Sequence, residues 1–225
     1  MNLKDVRNSI TKHATKKFGT RKLESITDIA IHHSGTIVGD SASFARFHVQ
    51  NNGWAGIGYH YVVLLDGTIE YCGDINTVRA NVGGNNSYLI GICLVGDYSK
   101  GYPPKTQIEA VFELINKLMN DIPSIKRVRG HREFPNQTSS CPGFDINKFR
   151  NDYEEYKKKG VEKPKEDNMG PEQWKIDNLK YLVDNKMVSD YDGWLKKIDE
   201  NMPAWAVFSI LANMHKVLKG ESEKK

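Results

Sequence analysis

Apolar and polar residues alternate over residues 26–33, and this alternation predicts a strand with one buried face. Ala30 and His32 fall on one face of that strand, whereas Ile29, Ile31 and His33 fall on the other. His33 therefore faces away from His32. Core packing or a hydrogen bond to a neighbouring ligand suits His33 better than metal ligation.

Four further segments predict strands. Residues 59–65 and 68–72 are rich in β-branched and aromatic side chains and flank an Asp-Gly dipeptide, which is typical of a tight hairpin. Residues 89–95 are apolar throughout, as in a central strand covered on both faces. A short strand is expected over residues 127–130.

Apolar residues three and four positions apart predict two helices, over residues 41–52 and 106–121. Ser41 is expected to be the N-cap of the first helix. Thr106 and Glu109 have the spacing of a capping box and are expected to cap the second.

The remaining segments complete a prediction of two domains. Residues 1–23 are basic and polar, and they predict either a short amphipathic helix or an arm that wraps the sheet. With a third helix over residues 145–156, residues 1–156 form an α/β domain in which a mixed central β-sheet is flanked by helices. The charged, apolar-poor stretch 157–171 predicts a linker, and residues 172–219 a small all-helical domain.

Composition narrows the classes of function. The 225 residues carry a formal net charge of +4, with acidic and basic residues well mixed. The sequence lacks the basic stripe interleaved with aromatic residues that would indicate binding of nucleic acid. The sequence pI of about 8.8 suits an anionic surface such as a bacterial wall. The first thirty residues lack the apolar segment of a secretory signal, and no apolar run is long enough to insert into a membrane. We therefore expect a protein made in the cytoplasm, with any work outside the cell requiring another route of release.

The cysteines and histidines provide the candidate chemistry. Cys72 and Cys93 lie within apolar strands, whereas Cys141 lies in a loop flanked by proline and glycine, as a ligand or nucleophile would. His131 precedes Cys141 by ten positions, and with His32 these residues could form a zinc site with an open position. Residues so far apart in the sequence do not follow a known metal-binding spacing. The residues alone therefore leave open that these histidines and this cysteine have a structural role.

Five motifs in order resemble one enzyme family. They read IHHSGT, GIGYHYVVLLDGTIEYCGD, IGICLVGDY, RVRGHREF and CPGFDI, and the resemblance around them covers about residues 27–149. This order is similar to that of the zinc-dependent N-acetylmuramoyl-L-alanine amidases of the type 2 group. That group also contains phage lysozyme-amidases and peptidoglycan recognition proteins. The resemblance does not extend over residues 157–225.

The resemblance implies a zinc ion held by His32, His131 and Cys141, and a tyrosine beside the zinc-bound water at Tyr59. It also implies the corresponding fold. We expect the active site in a groove at the sheet's edge, between the strand ends that bear His32 and Tyr59 and the His131–Cys141 loop. Recognition proteins that only bind peptidoglycan typically lack the cysteine ligand, so Cys141 favours catalysis.

Two positions depart from the family pattern. The family often has lysine or threonine, as an oxyanion donor, two positions before the cysteine ligand, where this chain has Ser139 with Thr138 beside it. A hydroxyl stabilises an oxyanion less than an ammonium does. Asn81 replaces a histidine that many members have, and it is a candidate substrate-binding residue together with Trp54.

The function that the resemblance implies is hydrolysis of the amide between the lactyl group of N-acetylmuramic acid and L-alanine of the stem peptide. A phage or prophage endolysin, released through a holin-type pore, fits the absence of a signal. Two alternatives remain: a peptidoglycan-binding protein without catalysis, and a zinc amidase acting on a different amide. The helical C-terminal domain is expected either to bind the cell wall through its exposed aromatics or to self-associate.

Overall fold

A computed structural model describes residues 1–161, 179–180, 182–184, 188 and 190–196, without the side chains of residues 159–161. The chain divides into two compact units, Met1–Val161 and Glu162–Lys225. Among the described residues, no helix is long and apolar enough to cross a membrane.

The first unit is built on a six-stranded mixed sheet with the strand order β1-β4-β3-β5-β2-β6. The β3–β4 hairpin is antiparallel, and every other pair of neighbours is parallel. All strands predicted between residues 26 and 130 are confirmed. The strands are β1 (Leu3–Asp5), β2 (Asp28–His33), β3 (Tyr61–Val63), β4 (Ile69–Tyr71), β5 (Leu89–Leu94) and β6 (Arg127–Gly130).

Three helices accompany the sheet: α1 (Ser41–Gln50), α2 (Lys105–Asp121) and α3 (Ile146–Val161). Short 3-10 turns occur at Leu23–Ser25, Asn86–Tyr88 and His131–Glu133, and the second unit contains a short helix, α4 (Tyr191–Leu195).

Both predicted helix caps are wrong. Asp40, not Ser41, caps α1, because its carboxylate accepts the backbone N–H of Ser43 while the Ser43 hydroxyl reaches back. Pro104 precedes α2 and offers no side-chain cap, and the Thr106 hydroxyl donates instead to the carbonyl of Leu65 in the hairpin.

The two faces of the sheet carry separate apolar clusters. Ile29 and Ile31 of β2 belong to the larger cluster, together with buried residues of α2 and α3 such as Phe112 and Phe149. Ala45 of α1 packs in a second cluster with residues of the strands and loops on the other side. The predicted alternation along β2 therefore sends His32 and His33 to different surroundings.

The N-terminal segment is a strand and an extended arm rather than a helix. Leu3–Asp5 pairs in parallel with β4, whose free edge offers backbone hydrogen bonds. This segment is too polar to gain as much by forming a helix and burying one of its faces. Farther along, the Arg21 amide donates to the Asn76 carbonyl, and Val78 donates to Gly19. The arm thus supports the loop that follows β4.

The boundary of the predicted linker differs from the structure. Helix α3 continues to Val161, five residues beyond the expected end, and Lys157 pairs with Glu154 one turn earlier at 2.7 Å. A charged, apolar-poor sequence is as compatible with an exposed helix as with a linker. The rest of the predicted linker and most of the predicted helical domain lie outside the described residues.

Candidate metal site

The first unit brings together three potential metal ligands. His32 is next to last in β2, and His131 follows β6, which pairs in parallel with β2, so both residues lie at carboxyl ends of neighbouring strands. One donor atom from each of His32, His131 and Cys141 lies within 4.8 Å of the others. The Sγ atom of Cys141 is 3.7 Å from Nδ1 of His32. The site thus lies at strand ends, and β2 is an inner strand of the sheet between β5 and β6.

The loop that carries Cys141 is held against the end of β6. A Cβ atom on Gly130 would lie 2.7 Å from Cδ of Pro142, so only glycine allows this approach. The Arg132 backbone N–H donates to the Cys141 carbonyl at 2.9 Å. The guanidinium of Arg132 donates to the carbonyls of Ser140 and Phe144. Arg132 therefore anchors both sides of Cys141.

Each histidine has one ring nitrogen occupied by a side-chain amide. Nε2 of His32 is 3.1 Å from Oδ1 of Asn81, and Nε2 of His131 is 3.0 Å from Oε1 of Gln137. An amide oxygen only accepts, so both Nε2 atoms carry hydrogen in these contacts. A metal could then bind each ring only through Nδ1, the atom that in His32 faces Cys141.

Burial affects the protonation of His32 and Cys141. Burial is the main cause that lowers the pKa of His32 to about 3, and the neighbouring His131 is the second cause. The His32 ring is therefore neutral at pH 7. Burial raises the pKa of the Cys141 thiol to about 11. Binding of a metal through this sulfur would therefore release a proton.

Tyr59 lies beside His32, with 5.2 Å between ring centroids. Burial is the main cause that raises the pKa of Tyr59 well above its usual value, and the nearby Cys93 is the second cause. The phenol consequently stays protonated and can donate a hydrogen bond at neutral pH.

Trp54 lies farther along a row of aromatic rings. Its ring is 4.7 Å from that of His48, and His48 is 5.6 Å from Tyr59. His48 is buried and accepts the Gly58 backbone N–H through Nδ1, which fixes its ring between the other two. Trp54 is thus separated from the potential ligands by two rings.

Ser139 and Thr138 occupy different environments. The Ser139 hydroxyl oxygen accepts the backbone N–H of Cys141 at 3.1 Å, which leaves its proton available. Thr138 is exposed. On the far face of β2, Nδ1 of His33 accepts the Tyr98 backbone N–H at 3.1 Å.

Sequence reasoning missed the contacts of Gln137, Arg132 and His48. Gln137 lies in an irregular loop, where no periodicity distinguishes it from its polar neighbours. Arg132 lies between two potential ligands in the sequence, and this position was the only signal for its role. His48 shares a helical face with Phe44, which indicated burial but not its contacts with Trp54 and Tyr59.

Known proteins resemble this chain over the same region. The family model described as N-acetylmuramoyl-L-alanine amidase matches residues 22–144. The endolysin of Enterobacteria phage K11 is 31% identical over 105 residues, covering 44% of this chain and 68% of the relative. The endolysin of Escherichia phage T7 is 27% identical over 138 residues, covering 57% and 88%.

A solved structure supports the same fold. The endolysin amidase LysCS from Clostridium intestinale URNW superposes with a TM-score of 0.59 at 24% identity, covering 68% of this chain and 95% of its own. The family match spans all three potential ligands and covers more than half of the sequence. The chain therefore belongs to the N-acetylmuramoyl-L-alanine amidase family.

Proposed function

We propose that this chain is a phage or prophage endolysin that hydrolyses the amide between the lactyl group of N-acetylmuramic acid and L-alanine of the stem peptide. Family membership and the endolysin relatives support the reaction and the substrate. The observation that carries the proposal is the convergence of His32, His131 and Cys141, whose donor atoms lie within 4.8 Å of one another.

The donor set fits zinc. Two neutral imidazoles and one thiolate suit this borderline-soft ion, and three protein ligands leave one position open, as in catalytic zinc sites. When bound, zinc would supply a Lewis acid that activates water and polarises the scissile carbonyl. His32, His131 and Cys141 would hold it.

Tyr59 is the proposed catalytic donor. Its protonated phenol lies beside His32, where it can hydrogen-bond the oxygen that gains negative charge as the amide is attacked. Ser139 has a free hydroxyl proton and is the next candidate donor, with the exposed Thr138 beside it. Trp54 and the Nδ2 group of Asn81 are the proposed contacts with substrate.

The metal content of the purified protein tests the ligands. We expect about one zinc per chain in the wild type and much less in Cys141→Ser, because a hydroxyl is a poor zinc ligand. Cys72→Ala is the matched control, since Cys72 is a buried cysteine outside the donor set. A Cys141→Ser protein that retains a full equivalent of zinc would contradict the assignment.

The products of peptidoglycan digestion test the reaction. Mass analysis should find free amino groups on L-alanine, which cleavage of another amide would not produce. Tyr59→Phe should lower turnover by about a hundredfold or more without loss of zinc, as expected for removal of an oxyanion donor. Wall clearing unaffected by both Tyr59→Phe and Cys141→Ser would refute catalysis at this site.

We further propose that the C-terminal unit binds the cell wall, using aromatics such as Trp174, Tyr181, Tyr191 and Trp194 as saccharide platforms. Self-association is the competing role. A chain ending after Val161, which keeps α3 whole, should bind walls more weakly than the full chain, and unchanged affinity would refute targeting. Release through a holin-type pore predicts host lysis only when the chain is produced together with such a pore.

A further inference from the structure

Two side-chain amides each contact one of the histidines in the potential ligand set. Asn81 lies in the loop after β4, and Gln137 lies in the loop between His131 and Cys141. Each directs its oxygen at the Nε2 atom of a different histidine, at 3.1 and 3.0 Å. These contacts accompany the ligand set but do not belong to it.

The orientation of Gln137 is determined by its other contacts. Its Nε2 group donates to the carbonyl oxygens of Gly83 at 2.9 Å and Pro135 at 3.0 Å. A carbonyl can only accept, so the nitrogen of the amide must face these two atoms and the oxygen must face His131. The bond to Gly83 also joins the His131–Cys141 loop to the loop that carries Asn81.

The position of Asn81 depends on a glycine in the neighbouring strand. A Cβ atom on Gly91, in the central strand β5, would lie 2.5 Å from Oδ1 of Asn81. The backbone N–H of Asn81 donates to Oδ1 of Asn86 at 2.9 Å, and its Nδ2 group lies 3.4 Å from the Arg79 carbonyl. Gly91 therefore leaves the space in which Asn81 reaches His32.

We propose that Asn81 and Gln137 are positioning residues of the metal site. They keep the proton of each histidine on Nε2 and fix the ring, so that both Nδ1 lone pairs are available to one metal ion. This role rests on the proposed function, because it presupposes that the site binds zinc. For Asn81 it is additional to the substrate contact proposed above.

The neutral charge of the two amides has a chemical consequence. A carboxylate in the same position would add negative charge and make the imidazole a stronger donor. An amide fixes the ring without adding charge, so that the Cys141 thiolate is the one anion in the proposed ligand set. A metal bound there would thereby keep more of its Lewis acidity.

Zinc affinity tests the role of both amides directly. Asn81→Leu and Gln137→Leu remove the acceptors at similar volume, and we expect each to weaken Zn²⁺ binding by about 10- to 100-fold in competition with a chromophoric chelator. Asn120→Leu is the matched control, since Asn120 is an exposed amide on α2, and it should bind as the wild type does.

Rescue separates orientation from packing. Asn81→Asp keeps an acceptor for Nε2–H and should restore most of the affinity lost in Asn81→Leu. The visible spectrum of bound Co²⁺ should change in Asn81→Leu, because the coordination geometry changes with the ring. If Asp binds Zn²⁺ as weakly as Leu, the role of Asn81 is packing and the proposal for it is wrong.

Gly91→Ala provides a second test that leaves Asn81 chemically intact. The added methyl group should displace the amide from His32 and weaken Zn²⁺ binding even where the fold is unchanged by circular dichroism. Affinities of both leucine variants within threefold of the wild type would overturn this inference alone. A wild-type chain that binds zinc no better than Cys141→Ser would overturn the proposed metal site as well.

Discussion

The ion pair beneath the site gives the most quantitative prediction. Asp28, at the start of β2, is fully buried, and its Oδ2 atom accepts from Arg127 at 2.7 Å and from Thr27 at 2.6 Å. Its Oδ1 atom lies 3.1 Å from Nε of Arg129, an ion pair without hydrogen-bond geometry. Asp28 thus connects the strand that carries His32 to the strand that leads to His131.

Asp28→Asn should destabilise the first unit substantially. Removing one partner of a buried ion pair costs about 3–5 kcal/mol. The arginine side chains are 52% and 24% exposed, so solvent screens the charges that are left, and the expected cost is about 2–3 kcal/mol. For a unit of this size, that cost corresponds to a fall in Tm of about 4–12 °C.

Urea and thermal unfolding of chelator-treated protein measure this cost without a contribution from metal binding. Asp121→Asn is the control, since Asp121 pairs with Lys117 at 2.8 Å on the exposed face of α2. That variant should lose less than about 0.5 kcal/mol. Equal losses in the two variants would show that the Asp28 pair contributes no more than a surface pair.

Four further predictions concern His48, Arg132, Gly130 and the metal. Burial lowers the pKa of His48 to about 4, so below about pH 6.5 the unfolded chain takes up a proton that the folded chain does not. In urea unfolding between pH 6.5 and 4, the wild type should therefore lose up to about 3 kcal/mol more stability than His48→Gln. Plots of stability against pH that run parallel for the two proteins would show that His48 contributes none of this loss. Arg132→Met should cost about 1–3 kcal/mol in urea unfolding, because two carbonyls beside Cys141 lose their donor, and Arg132→Lys should not restore both bonds. Gly130→Ala should cost about 1–3 kcal/mol through contact with Pro142, measured by calorimetry, and an unchanged Tm would mean that the loop moves freely. Chelation should abolish activity and lower Tm, and added Zn²⁺ should raise Tm in a concentration-dependent way; a Tm indifferent to zinc would contradict binding to the folded state.

The sheet could be predicted from the sequence because its signals are local. Residues 28–33 alternate, residues 89–94 are apolar throughout, and an Asp-Gly turn connects the hairpin strands. The identity of the potential ligands depended on the order of motifs rather than on any one spacing. That order reflects a family fold, which brings Cys141 to the end of the strand that carries His32.

The features that could not be predicted depend on choices between equivalent partners. Asp40 and Ser41 are both good N-caps, and only the backbone of the preceding loop decides which one is used. Residues 3–5 become a strand because β4 has a free edge, which nothing in their own sequence indicates. The contact of Gln137 with His131 requires the fold of an irregular loop, where local propensity carries no information.

The long chain separation of the paired strands affects how the site forms. The Asp28–Arg127 contact closes 99 residues, and the His32–Cys141 contact closes 109. Such loops must close before any ladder hydrogen bond forms, which makes parallel pairing slow. We therefore expect the three donors to come together late in folding. Zinc at this site is therefore expected to slow unfolding while leaving the folding rate unchanged, since the ion has no assembled site to bind before the transition state is passed.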